Sequence, residues 1–135
     1  MAQAVVTQAS PIRADHEVLE TLAKHILAAV VDGDHERMPA AISALQAAVT
    51  AHLDDEEREV VPRYAQHDPG DAACILAEHS DFRRVLAELD LETDLHLVRA
   101  EAMSSFLAAL QAHAAREDAG MYRWESADAA AAAFV

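Results

Sequence analysis

Four histidines and two glutamates recur at spacings that turn them toward one another. In "HLDDEEREVVP", residues 52–62, His52 is followed four positions later by Glu56, and "HAARED", residues 113–118, repeats the pattern with His113 and Glu117. Residues four apart on a helix sit one turn along the axis and about 40° around it, so each histidine shares a face with its glutamate. His16 and His79 occupy matching places on two further apolar stripes. An unpaired buried carboxylate costs several kcal/mol, and no lysine or arginine lies on these stripes near Glu56 or Glu117. The remaining compensation is a cation held by the imidazoles and carboxylates themselves. Six ligands arriving from four directions suit two ions better than one.

The stripes require helices to carry them. Ile12, His16, Leu19, Ala23, Ile26 and Val30 follow a three-and-four rhythm, as do Ile42, Leu45, Val49, His52, Glu56 and Glu59. Ile75, His79, Phe82, Leu86 and Leu89 form a third stripe, and Phe106, Leu110, His113 and Glu117, continued by Gly120 or Met121, form a fourth. Ser10 and Pro11 read as a helix start, with the first helix running to about Val31. "DGDHERMP", residues 32–39, is a turn; a second helix follows to about Gln66, with Pro62 kinking its last turns. "HDPGD", residues 67–71, is the clearest break. A third helix is predicted over about 71–90, and a fourth, capped by Thr93, is predicted to reach about Glu125. This gives an all-α, up-down-up-down four-helix bundle over residues 10–125, with an N-terminal tail over 1–9 and an alanine-rich, short helical C-terminal tail over 126–135. Facing helices about 8–10 Å apart let inward side chains from all four converge.

An internal repeat supports the convergence. "DHEVL" at His16 is echoed by "EHSDF" at His79, and "HLDDEE" by "HAARED"; the second histidine follows the first by 36 residues in one half and 34 in the other. Two hairpins of like design would meet about a pseudo-twofold axis.

Composition narrows the setting. The formal charge of −14 repels nucleic-acid phosphate and anionic lipid, so neither nucleic acid nor membrane is an expected partner. A single cysteine, Cys74, and an N-terminal stretch with neither a basic start nor a sustained apolar run point to a reduced, cytoplasmic protein. Cys74 itself reads as a small buried side chain. Nitrogen and carboxylate donors suit iron, manganese or zinc, and the absence of a cysteine ligand argues against a closed thiolate zinc site. If Glu56 and Glu117 both bridge and two histidines bind each metal, every ion has four protein ligands. One bridging oxygen brings this to five, leaving an octahedral iron with a position for a small molecule.

The motifs "ADH" at His16, "HLDDEEREVVP" at His52, "DPGDAACILAEH" ending at His79 and "HAAREDAGMY" at His113 together resemble the hemerythrin-like, or HHE cation-binding, family across roughly residues 10–124. The resemblance implies a non-haem di-iron centre, oxo- or hydroxo-bridged and cycling between Fe2+ and Fe3+, with manganese or zinc as less favoured occupants. It assigns His16, His52, His79 and His113 as terminal ligands and Glu56 and Glu117 as bridges. Oxygen-carrying members have a fifth histidine one turn from the one on the third helix, where this chain has Ile75 and Arg83. They also end with a carboxylate five residues after the last histidine, whereas this chain offers both Glu117 and Asp118. The four-histidine, two-glutamate set resembles instead the branch that includes iron-centre repair proteins and iron sensors.

Several neighbours read as bystanders. His25 falls on the opposite face of its helix, His35 and His67 fall in turns, and His96 lies too far along the axis. Asp54, Asp55, Glu57 and Glu59 read as an exposed acidic face, while Glu20, Glu59 and Asp118 are additional candidate metal ligands. Tyr64, Tyr122 and Trp124 read as packing residues at the bundle end rather than redox relays. The leading expectation is a di-iron protein that binds or reduces oxygen, nitric oxide or peroxide, with an unidentified electron donor if it turns over. The alternative is an iron or oxygen sensor or buffer without catalysis, and a metal-free helical interaction module is a third.

Overall fold

A computed structural model describes residues 11–94 and 98–133, and all the regular structure among them is helical. Helix α1 (Pro11–Val31) is followed by α2 (Met38–Glu59), the short α3 (Val61–His67), α4 (Pro69–Asp94), α5 (Ala100–Ala119) and α6 (Met121–Ala132). Helix α1 packs on α2 and α5, α2 packs on α4, and α4 packs on α5, closing a ring around one interior. Helices α3 and α6 pack together at one end of that ring. Among the described residues no helix is long and apolar enough to cross a membrane. The proposed Ser10 cap, the tail over residues 1–9 and His96 lie outside the described residues.

The turns follow from local chemistry. Gly33 takes φ 69°, a left-handed conformation that suits a residue without Cβ, and its N–H together with that of Asp34 closes the end of α1 on Val30 and Ala29. Asp68 caps α4 by accepting the Asp71 N–H at 3.0 Å, and Pro69 begins the helix, where a missing N–H costs nothing. Helix α4 therefore starts slightly earlier than the sequence suggested. It also runs through Thr93: that hydroxyl donates to the Leu89 carbonyl at 2.7 Å inside the last turn, so Thr93 is not a cap for the following helix.

Two predicted long helices are each interrupted one turn after their glutamate. Between α2 and α3 the interruption is Val60; Pro62, at the start of α3, has no N–H to continue the ladder. Between α5 and α6 it is Gly120, which the sequence reading carried through as uninterrupted helix. A residue without a side chain suits that place: a Cβ at Gly120 would sit 3.0 Å from Asp71 Oδ2 and 3.1 Å from the Tyr64 hydroxyl. The alanine-rich segment after residue 126 thus continues a helix that begins at Met121.

The interior has two apolar clusters with a polar layer between them. The larger includes Leu19, Ile42, Leu53, Phe82, Met103 and Leu110. The smaller, formed by Val60, Val61, Tyr64, Ala72, Ile75, Met121 and Tyr122, closes the end where α3 and α6 lie. Full burial of each aliphatic side chain contributes roughly 1.5–3 kcal/mol, so two such clusters can hold charged groups out of water between them.

Candidate metal centre

The polar layer contains His52, Glu56, His79, His113 and Glu117, all buried, and His16, which is 12% exposed. Their side chains form two groups that share both glutamates. The first position combines His16, His52, Glu56 and Glu117, the second His79, His113, Glu56 and Glu117, and in each the donor atoms lie within 4.8 Å of one another.

The two oxygens of each glutamate divide between the positions. Glu56 Oε2 lies 3.2 Å from His52 Nε2 and 3.6 Å from His16 Nε2, whereas its Oε1 lies 3.1 Å from His79 Nε2. Glu117 Oε1 lies 3.0 Å from His16 Nε2, while its Oε2 lies 2.9 Å from His113 Nε2 and 3.4 Å from His79 Nε2. All four imidazoles therefore present Nε2 inward.

Their Nδ1 atoms meet a second set of carboxylates, arranged as a circuit. Asp15, beside His16 on α1, faces His52 on α2 at 3.2 Å, and Glu57, beside Glu56 on α2, faces His79 on α4 at 2.7 Å. Glu78, beside His79, faces His113 on α5 at 2.6 Å, and Asp118, beside Glu117, lies 3.7 Å from His16 Nδ1. An acid on each helix thus addresses the histidine of the next. A carboxylate at Nδ1 favours the Nδ1–H tautomer and leaves Nε2 with a lone pair for a cation. Arg83 donates to Glu57 at 2.7 Å, Arg116 to Glu78 at 3.1 Å and Arg13 to Asp118 at 2.8 Å.

Burial and charge oppose one another across the layer. Burial would lower the pKa of His16, but its hydrogen bonds and charge interactions with Glu117 and Glu56 prevail and raise it to about 9. Burial would likewise lower His79 and His52, but Glu117, Glu56 and Glu57 raise His79 to about 10, and Glu56 and Asp15 raise His52. Burial would raise Glu56 and Glu117, yet the surrounding imidazoles hold both below the ordinary carboxylate range. Without a cation, protons on His16 and His79 offset the two carboxylates.

The donor set fits a cation better than it fits itself. His52 Nε2, His113 Nε2 and Glu56 Oε1 are fully enclosed, yet none has a hydrogen bond of acceptable geometry. Such orphaned donors and acceptors are uncommon in a folded interior. All three face the shared layer, where nitrogen and carboxylate oxygen, without thiolate, match iron, manganese or zinc.

The three additional candidates stand apart from the two groups. Glu59 is exposed and pairs with Arg58, because the helix ends there and the stripe ends with it. Glu20 pairs with Lys24 and Gln111 at the α1–α5 seam, and Asp118 serves the outer side of His16. Glu57 corrects the sequence reading: it is half-buried and bonded to His79 rather than part of a solvated acidic face. Cys74 is exposed, one residue before the inward Ile75 and so turned off the stripe. Ile75 is fully buried in the smaller apolar cluster, and Arg83 is engaged by Glu57 and Asp54, so neither supplies a fifth imidazole or its equivalent.

Tyr122 is the residue that the sequence reading most undervalued. It is buried, its ring meets that of His16 edge-on at 5.6 Å, and its hydroxyl donates to Glu56 Oε2. Burial and the Glu56 charge raise its pKa well above the ordinary phenol value, so it remains a donor. Little in the sequence signalled it: Tyr122 lies five residues past Glu117, off that stripe on an uninterrupted helix, and the periodic reading did not include the interruption at Gly120. Tyr64 and Trp124 do pack at the bundle end, with ring centroids 5.5 Å apart.

A closed helical bundle whose interior carries two histidine and glutamate positions defines a cation-binding helical protein. The chain belongs to the hemerythrin HHE cation-binding domain family, whose profile matches residues 8–124. Comparison with curated proteins and with solved structures gave no significant match.

Proposed function

We propose that this protein is a di-iron member of the family with four-helix, up-down-up-down topology. In this reading His16, His52, His79 and His113 are terminal ligands, Glu56 and Glu117 bridge, and the centre binds or reduces oxygen, nitric oxide or peroxide. The observation that carries the reading is the division of both carboxylates between the two positions, the arrangement a carboxylate needs to bridge two ions with one oxygen on each. Bound iron would supply one-electron redox chemistry and an open position for a small ligand.

The surroundings favour a ligand of few atoms. A cavity of about 20 Å³ lies against His16, His52 and His113 and is otherwise walled largely by Leu19, Val49, Leu53, Phe82 and Leu110. That is room for about one water-sized molecule, and the apolar wall excludes larger polar substrates. Tyr122 donates to Glu56 Oε2, and the carboxylates at Nδ1 of His52, His79 and His113 keep those Nε2 lone pairs aimed inward. A reducing, cytoplasmic setting, proposed on the single cysteine, would keep the ferrous form available.

The test is anaerobic purification with iron, metal quantification and visible spectra after addition of each ligand. About two irons per chain and a ligand-specific spectral change are expected. Zero or one iron after reconstitution would refute the reading. Tight binding without turnover of any of the three ligands would move the protein to the iron or oxygen sensor and buffer class.

A further inference from the structure

The pseudo-twofold design is broken in the acids that address Nδ1. Around the first position both are aspartates, Asp15 and Asp118; around the second both are glutamates, Glu57 and Glu78. The extra methylene shows in the reach: 3.2 and 3.7 Å to His52 and His16, against 2.7 and 2.6 Å to His79 and His113. Both glutamates are braced by an arginine, Arg83 or Arg116. Asp118 is braced by Arg13, whereas no arginine addresses Asp15 among the described residues. His16 Nδ1 is buried without a hydrogen bond, since 3.7 Å is too long for one.

Tyr122 deepens the difference. Its hydroxyl donates to Glu56 Oε2, the oxygen that faces His16 and His52, and so draws donor strength from the first position alone. The residue in the equivalent place after Glu56 is Val61, which has no such group to offer Glu117. The small cavity borders both histidines of the first position, but only His113 of the second.

Resting on the two-iron reading above, we propose that the two positions are unequal. The second, built on His79 and His113, fills first and retains its metal; the first, built on His16 and His52, is the exchangeable one. Glu57 and Glu78 are the positioning residues of the second position, acting through the two imidazoles they hold. Outer partners of metal-bound histidines commonly change affinity by roughly 10–100-fold, which is ample to separate two otherwise similar sites.

The experiment loads metal-free, full-length protein with Co(II) under anaerobic conditions, then adds excess chelator and follows Co(II) absorption and bound metal. Two equivalents should leave in two phases, one fast and one at least about tenfold slower. His52→Ala should keep the slow equivalent, and His79→Ala should abolish it. Glu57→Ala or Glu78→Ala should accelerate the slow phase by roughly 10–100-fold, with Gln at either place recovering most of the loss through its retained acceptor. Asp118→Glu, by restoring the methylene, should slow the fast phase. Two equivalents lost from the wild type at a single rate would overturn the inequality while leaving the two-metal reading intact, as would a slow phase that survives His79→Ala. A total well short of two equivalents would overturn the two-metal reading, and the inequality with it.

Discussion

Replacing Tyr122 with phenylalanine isolates one hydrogen bond at the centre. The ring stays, so no cavity opens, and the change removes only the hydroxyl that donates to Glu56 Oε2. Glu56 is fully buried, and leaving a buried charge without partners costs about 3–5 kcal/mol. Here it keeps His16, His52 and His79 within 3.6 Å, so the smaller figure for a hydrogen bond to a charged group applies, about 1.5–3 kcal/mol. At about 4 °C per kcal/mol for a chain of this size, the metal-free variant should melt roughly 6–12 °C lower. Urea unfolding of metal-free protein followed by circular dichroism gives the free energy directly, with an unchanged denaturant slope as the sign that the fold is otherwise intact. With metal bound the sign should reverse at the first position, because Glu56 Oε2 regains donor strength. A loss below about 0.5 kcal/mol in the metal-free protein would refute the reasoning, since Glu56 would then be satisfied without the phenol.

Glu117→Ala should remove donors from both positions and sharply reduce metal per chain, while Asp118→Ala should retain most of it, having lost only Arg13 and a distant contact to His16. Metal quantification after reconstitution checks the ranking, and equal losses would contradict the assignment. Metal-free stability should depend on pH from both sides. His16 and His79, raised from 6.5 to about 9 and about 10, contribute fully below about 6.5 and lose that contribution as pH rises through 9 to 10. Glu56 and Glu117, lowered from 4.5, contribute above that value and lose it as pH falls. Urea midpoints should therefore peak between about 4.5 and 6.5, whereas metal affinity should keep rising with pH as imidazole protons are displaced. Gly120→Ala should push apart the Tyr64–Asp71 pair, bonded at 2.7 Å, and lower stability by about 1–2 kcal/mol; a neutral result in thermal unfolding would mean that the end of α5 adapts.

The inward histidines and glutamates were legible in sequence because a buried helical face has a fixed period and these six residues fall on it. A disturbance near Pro62 was legible because proline's missing N–H is a local fact, although the interruption itself falls at Val60. The fit of glycine at position 120 was not, since Tyr64 and Asp71 approach it from other helices. Thr93 was misread for a related reason: a threonine suits a cap or an internal bond to a carbonyl four residues back, and the distinction depends on how far the helix is packed. The acids Asp15, Glu57, Glu78 and Asp118 stood in plain view beside the metal-facing residues. Helical periodicity points them away from their own helix's inward stripe, and only the neighbouring helix reveals what they address.

The shared glutamates also determine when in folding the centre can exist. His16 and Glu117 are 101 residues apart, and the first position needs donors from α1, α2 and α5 while the second needs α2, α4 and α5. Neither half of the chain alone completes either one. Contacts of such long sequence separation form after the local hairpins, so metal coordination belongs to the final docking of α5 rather than to nucleation. Interactions absent from the transition state act on the unfolding rate. Bound metal should therefore leave the refolding rate nearly unchanged and slow unfolding, making the loaded protein persistent in time as well as favoured at equilibrium, and chelation would start the clock on its turnover.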